Sequence, residues 1–187
     1  KELRTYFVSP VAYVVLTVFL IISGFFFERI VSFSIERSMM MMMQSQQFGA
    51  PPPPMDVPAM VDRHFFGILS TVILFMLPMI TMATFAEEKR RGTIELLLTS
   101  PITNLQVVLG KFLAALSFFI VMLLPTLLYH AFVYFYTSPR MSLGPMFSGY
   151  LGLLLLGGTL ISLGIFISTV TENQIVAASI TFGTFLL

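Results

Sequence analysis

The sequence predicts an all-α integral membrane protein: a polytopic helical bundle with its N-terminus cytoplasmic, about five spans visible and a sixth expected to follow. Two observations carry this. Of 187 residues 57% are hydrophobic, 20 of them Phe, and the mean hydropathy is +0.93, more apolar surface than a soluble domain of this length buries around one core. Charge is also segregated. Only 10% of the chain is charged, yet Glu87, Glu88, Lys89, Arg90, Arg91, Glu95 and Lys111 fall within 25 residues, between long uncharged runs.

The lead KELRTYFVS places Leu3, Tyr6 and Phe7 where they can share one helical face, either as a segment lying on the membrane surface or as a span's flank. Ser9-Pro10 is a helix start, with Ser as N-cap and Pro where its missing N–H costs nothing. No charge occurs between Arg4 and Glu28, enough for the ~20 residues that cross ~30 Å of hydrocarbon. Residues 28–64 are polar or mixed and read as an extracytoplasmic loop rich in Met, Gln and Pro, with Glu28 and the residues up to Arg37 able to extend the first span. Its polyproline run, Pro51 to Pro54, favours an extended course with little regular structure. The consecutive Met39 to Met43 admit a soft Cu(I) reading, but the run lacks the spacing of a site and no Cys or His sits within it, so an adaptable apolar loop is preferred and no metal is assigned.

The second uncharged run spans 65–86 and contains Pro78; the third spans 112–138 and contains Pro125, both expected kink points. Tyr129, Tyr134 and Tyr136 look like an interfacial belt, with His130 as an interfacial histidine rather than a proton relay, since no partner acid is visible. After a short turn at 137–145 comes a fourth run to Thr171, in which Gly158/Ser162 and Gly164/Ser168 have the small-xxx-small spacing that lets helices approach closely, in this chain or against a partner. Glu172-Asn173-Gln174 is a turn, and a fifth span begins at Ile175. A start at Lys1 and an end within an apolar run at Leu187 suggest a fragment cut at both ends. On the positive-inside rule, Lys1, Arg4, Lys89, Arg90, Arg91 and Lys111 outweigh Arg29, Arg37, Arg63 and Arg140, which puts the N-terminus and the charged connector inside and the Met/Pro segment outside.

Several functions are excluded. A net charge of +1 with no basic stripe rules out nucleic acid as a partner. The absence of cysteine removes disulfides, thiolate metal sites and Cys nucleophiles. The only Gly-Lys pair, Gly110-Lys111, has Leu105 where a phosphate loop needs glycine and Phe112 where it needs Ser or Thr. The chain is therefore expected not to be an enzyme and to carry no cofactor. Apart from two histidines, the inferred spans show no relay-type ionisable group, which argues against ion-coupled transport.

The informative stretch is the connector, 85–111. Gly92 can stop the second helix, Thr93 can cap a short new one, and Ile94, Leu96, Leu97 and Leu98 give it an apolar surface beside Glu95. Ser100-Pro101 is a further helix start, leading through Ile102, Leu105, Val108 and Leu109 into the third span. Such a surface needs a cover, either the bilayer interface or a soluble partner.

The stretch EEKRRGTIELLLTSPITNLQVVLGK resembles the cytoplasmic connector of ABC-transporter permeases of the type-2 exporter class, and KELRTYFVSPVAYVVLTVFL resembles the lead and first span of permeases in their gliding-motility-associated and copper-maturation branches. The resemblance implies a single six-span domain in the cell (inner) membrane, pairing with a second permease subunit as a homo- or heterodimer and resting on a separate ABC ATP-binding subunit. It assigns coupling to Glu87, Glu88, Arg91, Gly92, Thr93, Glu95, Leu96, Leu97 and Pro101. The competing reading is a membrane scaffold or metal-delivery accessory protein using the Met-rich loop.

Overall fold

A computed structural model describes residues 10–48, 57–90, 92, 103–137 and 143–186, the side chains of Pro10 and Glu87 excepted. Among these described residues there are seven helices: α1 (Pro10–Phe48), α2 (Val57–Thr81), α3 (Ala83–Arg90), α4 (Asn104–Leu123), α5 (Thr126–Tyr136), α6 (Leu143–Val170) and α7 (Gln174–Phe185). No strand occurs among the described residues. Four helical stretches, α1, α2 with α3, α4 with α5, and α6, are long and apolar enough to cross a membrane; α7 is a shorter apolar helix. The all-α polytopic architecture is as the sequence predicts.

Helix α2 is the central element, packed on α1, α6 and α7, while α6 also meets α3 and α4. Phe65, Leu69, Ile73 and Leu77 of α2 recur every fourth residue and are all buried, forming the stripe that helical periodicity makes into one face. Phe19 of α1, Phe118, Phe119 and Met122 of α4 and Ile161 of α6 complete the core. Outward surfaces carry Phe25, Leu128, Phe135, Leu155 and Phe166, as expected where the solvent is hydrocarbon.

Helix α1 differs from the expected loop at 28–64. Its 39 residues span about 58 Å at 1.5 Å per residue, nearly twice the hydrocarbon thickness of ~30 Å. Residues 28–48 and 57–64 are helical, because Met, Gln, Glu and Arg are good helix formers and no Gly or Pro intervenes before Gly49. The contiguous methionines are thereby wound round a helix, with Met39, Met40, Met42 and Met43 exposed. The polyproline run, the lead at 1–9 and the turn at 138–142 lie outside the described residues.

Both proline-bearing spans are interrupted, in different ways. At Leu124-Pro125 the ladder passes from Leu124 N–H on the Ile120 carbonyl to Leu127 and Leu128 N–H on the carbonyls three residues back, so α4 and α5 are separate segments. Helix α2 instead continues through Pro78 and breaks at Met82, where a hydroxyl from α6 enters the ladder. Ser168 Oγ accepts from Phe85 N–H and Ala86 N–H, both at 3.0 Å, and donates to the Met82 carbonyl at 3.2 Å. An inserted side chain of this kind is a recognised cause of a helix break.

The two small-residue pairs point different ways. Gly164 faces Thr81 of α2 so closely that an added Cβ would overlap the threonine side chain, and Ser168 is fully buried. Gly157 and Gly149 similarly admit the rings of Phe119 and Phe66. Gly158 has open space and, with Ser162, lines a shallow groove between α4 and α6 beside Phe112, Leu116 and Leu155. Gly164→Leu is therefore expected to force α6 off α2 and lower stability by about 1–3 kcal/mol, whereas Gly158→Leu stays within about 0.5 kcal/mol of the parent. Thermal unfolding of the purified chain checks this, and equal Tm shifts for the two variants would refute the close approach.

Candidate functional site at the connector end

The helix break at Met82 sets α3 at the end of the bundle where the charged residues gather. Helix α3 stops at Arg90, and Gly92 follows with φ 68, its N–H on the Lys89 carbonyl at 3.0 Å. This left-handed conformation suits glycine because it has no Cβ, and Gly92 ends the helix as its position in the sequence suggested.

The sequence places Lys111 in a water-exposed connector, but the structure buries it. Its residue exposure is 3%, about two turns into α4. Its ammonium donates to the Thr84 carbonyl at 2.8 Å and to Glu88 Oε1 at 2.7 Å, and lies 4.8 Å from the centre of the Phe85 ring. These three groups belong to α3. A buried ammonium is tolerated only when its donors are used and a countercharge is close, so this one residue joins the end of the second span to the start of the third. Lys89 makes the corresponding tie to the fourth, donating to the Thr169 carbonyl at 2.6 Å. With Ser168 in the break, α3 is held to α4 and α6 by polar bonds.

Helix α4 opens with a capping box that the sequence reading passed over. Thr103 Oγ1 accepts from Gln106 N–H at 3.4 Å, and Gln106 Oε1 accepts from Thr103 N–H at 3.1 Å. The run Thr-x-x-Gln carries that signal.

Of the residues assigned to coupling by resemblance, Glu88 is in the buried-lysine cluster and Gly92 forms the helix stop. Glu87 lies on α3, though its side chain is not among those described. Arg91, Thr93, Glu95, Leu96, Leu97 and Pro101 lie outside the described residues. Lys111, Lys89 and Ser168 join the cluster without having been assigned to it. Nothing local to Ser168 marks it, because its partners are more than 80 residues away in sequence.

A second polar group lies at the opposite end and corrects the reading of His130. Asp62, expected in a loop, is buried on α2 with 3% exposure, and its Oδ1 is 3.3 Å from Nε2 of His130, which is 1% exposed. The partner acid that the sequence did not reveal is present, and His130 is a core residue rather than an interfacial one. Of the supposed tyrosine belt, Tyr136 is exposed while Tyr129 stacks on Phe27 at 4.9 Å.

Lys111→Met removes the ammonium from Glu88, whose side chain remains a quarter exposed. The expected loss is about 2–3 kcal/mol, below the range for a fully buried pair, and adding Glu88→Gln should recover part of it. Ser168→Ala withdraws the acceptor from two backbone N–H groups and should cost about 1–3 kcal/mol. Chemical denaturation of the three variants checks both, and an unchanged midpoint in Lys111→Met would contradict the tie.

No curated protein and no solved structure shows significant similarity to the chain. The model of a family described as ABC-2 family transporter protein matches residues 1–187. With that match over its whole length and a multi-pass apolar bundle beneath it, the chain belongs to the ABC-2 transporter family, as a membrane permease component of an ABC transporter.

Proposed function

We propose that the chain is the membrane-spanning subunit of an ABC exporter of the cell membrane, working as a dimer with a second permease subunit and driven by ATP hydrolysis on a separate ATP-binding subunit. Residues 85–111 are its coupling connector, with the N-terminus and connector on the cytoplasmic side. Glu87, Glu88, Arg91, Gly92, Thr93, Glu95, Leu96, Leu97 and Pro101 receive the movement of that partner.

The observation that supports this best is the tie made by Lys111. It bonds to α3 on the near side of the connector while standing in the first half of α4 on the far side, and Ser168 and Lys89 extend the attachment to α6. A push on the connector therefore acts on three spans together. A mere topological anchor needs charges at the interface; it does not need a buried ammonium fastened across the connector's two ends.

If Leu96 and Leu97 seat in a groove of the ATP-binding subunit, Leu96→Asp with Leu97→Asp buries carboxylates without partners and should cost several kcal/mol of docking energy. Subunit co-purification and transport-linked ATPase activity should fall at least tenfold with membrane abundance near normal. Glu95→Lys is the control, since a lipid headgroup layer accepts it and a complementary protein groove does not. Full retention of both readouts in the double Asp and the Lys variants would sink the docking assignment.

A further inference from the structure

The cluster at the end of the bundle away from the connector contains ionisable groups that the coupling reading does not use. Asp62 comes from α2, Thr126 and His130 from α5, and Tyr150 from α6, so the cluster joins three helices. Its hydrogen bonds allow the protons to be counted. Thr126 has one hydroxyl proton and donates it to the Leu123 carbonyl at 2.6 Å. At 2.9 Å from Tyr150, Thr126 Oγ1 is therefore the acceptor and the phenol the donor. The phenol proton is thus committed, so the Tyr150 oxygen accepts at its 3.0 Å contact with His130 Nδ1. The other neighbour of Nδ1 is the Thr126 carbonyl at 3.4 Å, which can only accept. Nδ1 carries a hydrogen.

That leaves His130 Nε2 and Asp62 Oδ1 facing each other at 3.3 Å, both buried, neither with an aligned hydrogen bond among the described residues. With no proton between them, two lone pairs and a net negative charge would stand in an apolar pocket, the costly case. One further proton removes both problems. It sits on the carboxyl beside a neutral imidazole, or on the imidazole beside a carboxylate.

We propose that Asp62 and His130, oriented by Tyr150 and Thr126, form a proton-binding site that is occupied when α2, α5 and α6 are packed together and emptied when they part. Among the described residues the immediate surroundings supply no other charge. From α2, Phe65 and Phe66 cover the imidazole with ring centres at 5.3 and 5.1 Å. From α6 the facing titratable group is Tyr150, and on α5 it is Tyr129, whose hydroxyl turns to the Leu20 carbonyl of α1. Glu28 and Arg29 of α1 are exposed and paired with each other, and Arg63 and His64 on α2 are exposed. Once separated into water, the carboxylate and the imidazole each find solvent partners, and the proton that their buried juxtaposition required is no longer held between them. Parting of the helices releases a proton and packing takes one up. The break at Leu124-Pro125 lets α5 move as a segment of its own.

The site stands on side-chain geometry alone, independently of the coupling assignment, and its test does not require ATP turnover. The chain contains two histidines and no cysteine, so with the partner subunits unlabelled and free of cysteine, His64→Gln leaves one imidazole to observe in this chain and an introduced thiol is its one reactive thiol. In the complex carried into lipid nanodiscs, with both faces open to reagent, the 15N spectrum of His130 should show a protonated Nδ1. Val133 shares the buried face of α5 with His130. Labelling of Val133→Cys by a hydrophilic thiol reagent, normalised to exposed Ser148→Cys, should rise several-fold from pH 6 to pH 8, below the ceiling of about tenfold per pH unit for one linked proton. Asp62→Asn and His130→Gln should each flatten that rise. Should either fail to fold, Asp62→Leu with His130→Phe keeps the packing without a titrating group. An unprotonated Nδ1, pH-independent labelling in the parent, or a rise that survives replacement of the pair overturns the proposal.

Discussion

The buried ammonium of Lys111 is the constraint on which the connector end depends. An unpartnered charge in a low-dielectric bundle is costly, so the Thr84 carbonyl and Glu88 must meet it. That requirement sets where α3 lies. Helix α3 can lie there only because α2 breaks at Met82, and the break leaves backbone groups that no water in hydrocarbon could satisfy. Ser168 satisfies them. Its hydroxyl arrives only because α6 runs close against α2, and that approach exists because residue 164, opposite Thr81, has no side chain. Lys111, Glu88, Ser168 and Gly164 thus form one chain of dependence from connector to span interior.

Polar contacts at both ends matter more here than in a soluble bundle. Lipid tails are as apolar as leucine, so the stripe of Phe65, Leu69, Ile73 and Leu77 gains little from leaving its solvent and supplies shape rather than a hydrophobic driving force. The register of α2 against its neighbours is set by specific bonds: Ser168 and the α3 cluster at one end, Asp62 with His130 at the other. Gly149, Gly157 and Gly164 bring the backbone of α6 near enough for those bonds to form.

Fold class was legible because it depends on composition, which hydrocarbon selects strongly: uncharged runs of 20 or more residues leave few alternatives. Helix limits at Gly92 and Pro125 were legible from local chemistry. The length of α1 was not, because a Met- and Gln-rich segment suggests a loop by polarity and a helix by propensity, and propensity governs here. The sites were the least legible part. Lys111 seemed solvated because charge in a sequence suggests water until a partner is known, and Asp62 was assigned to a loop 68 residues before its histidine. Sequence spacing does not reveal a pair joined across two helices so far apart in the chain.

The positions of the two breaks bear on how a bundle of this kind could move. The interruption at Met82 lies at the connector end and the one at Leu124-Pro125 toward the other, so each broken span has its short segment at a different end. Helix α3 is tied by Lys111 to the first half of α4; α5 is tied by His130 and Tyr150 to the first halves of α2 and α6. Two polar assemblies are therefore joined through apolar middles that close packing makes stiff. Under the proposed coupling, a displacement of α3 reaches the far end through α4 and α6 as nearly rigid rods, and the polar cluster there is where such a displacement meets bonds that must either hold or break. A bond that breaks by exchanging a proton offers two discrete arrangements, whereas an apolar contact at the same place would only loosen.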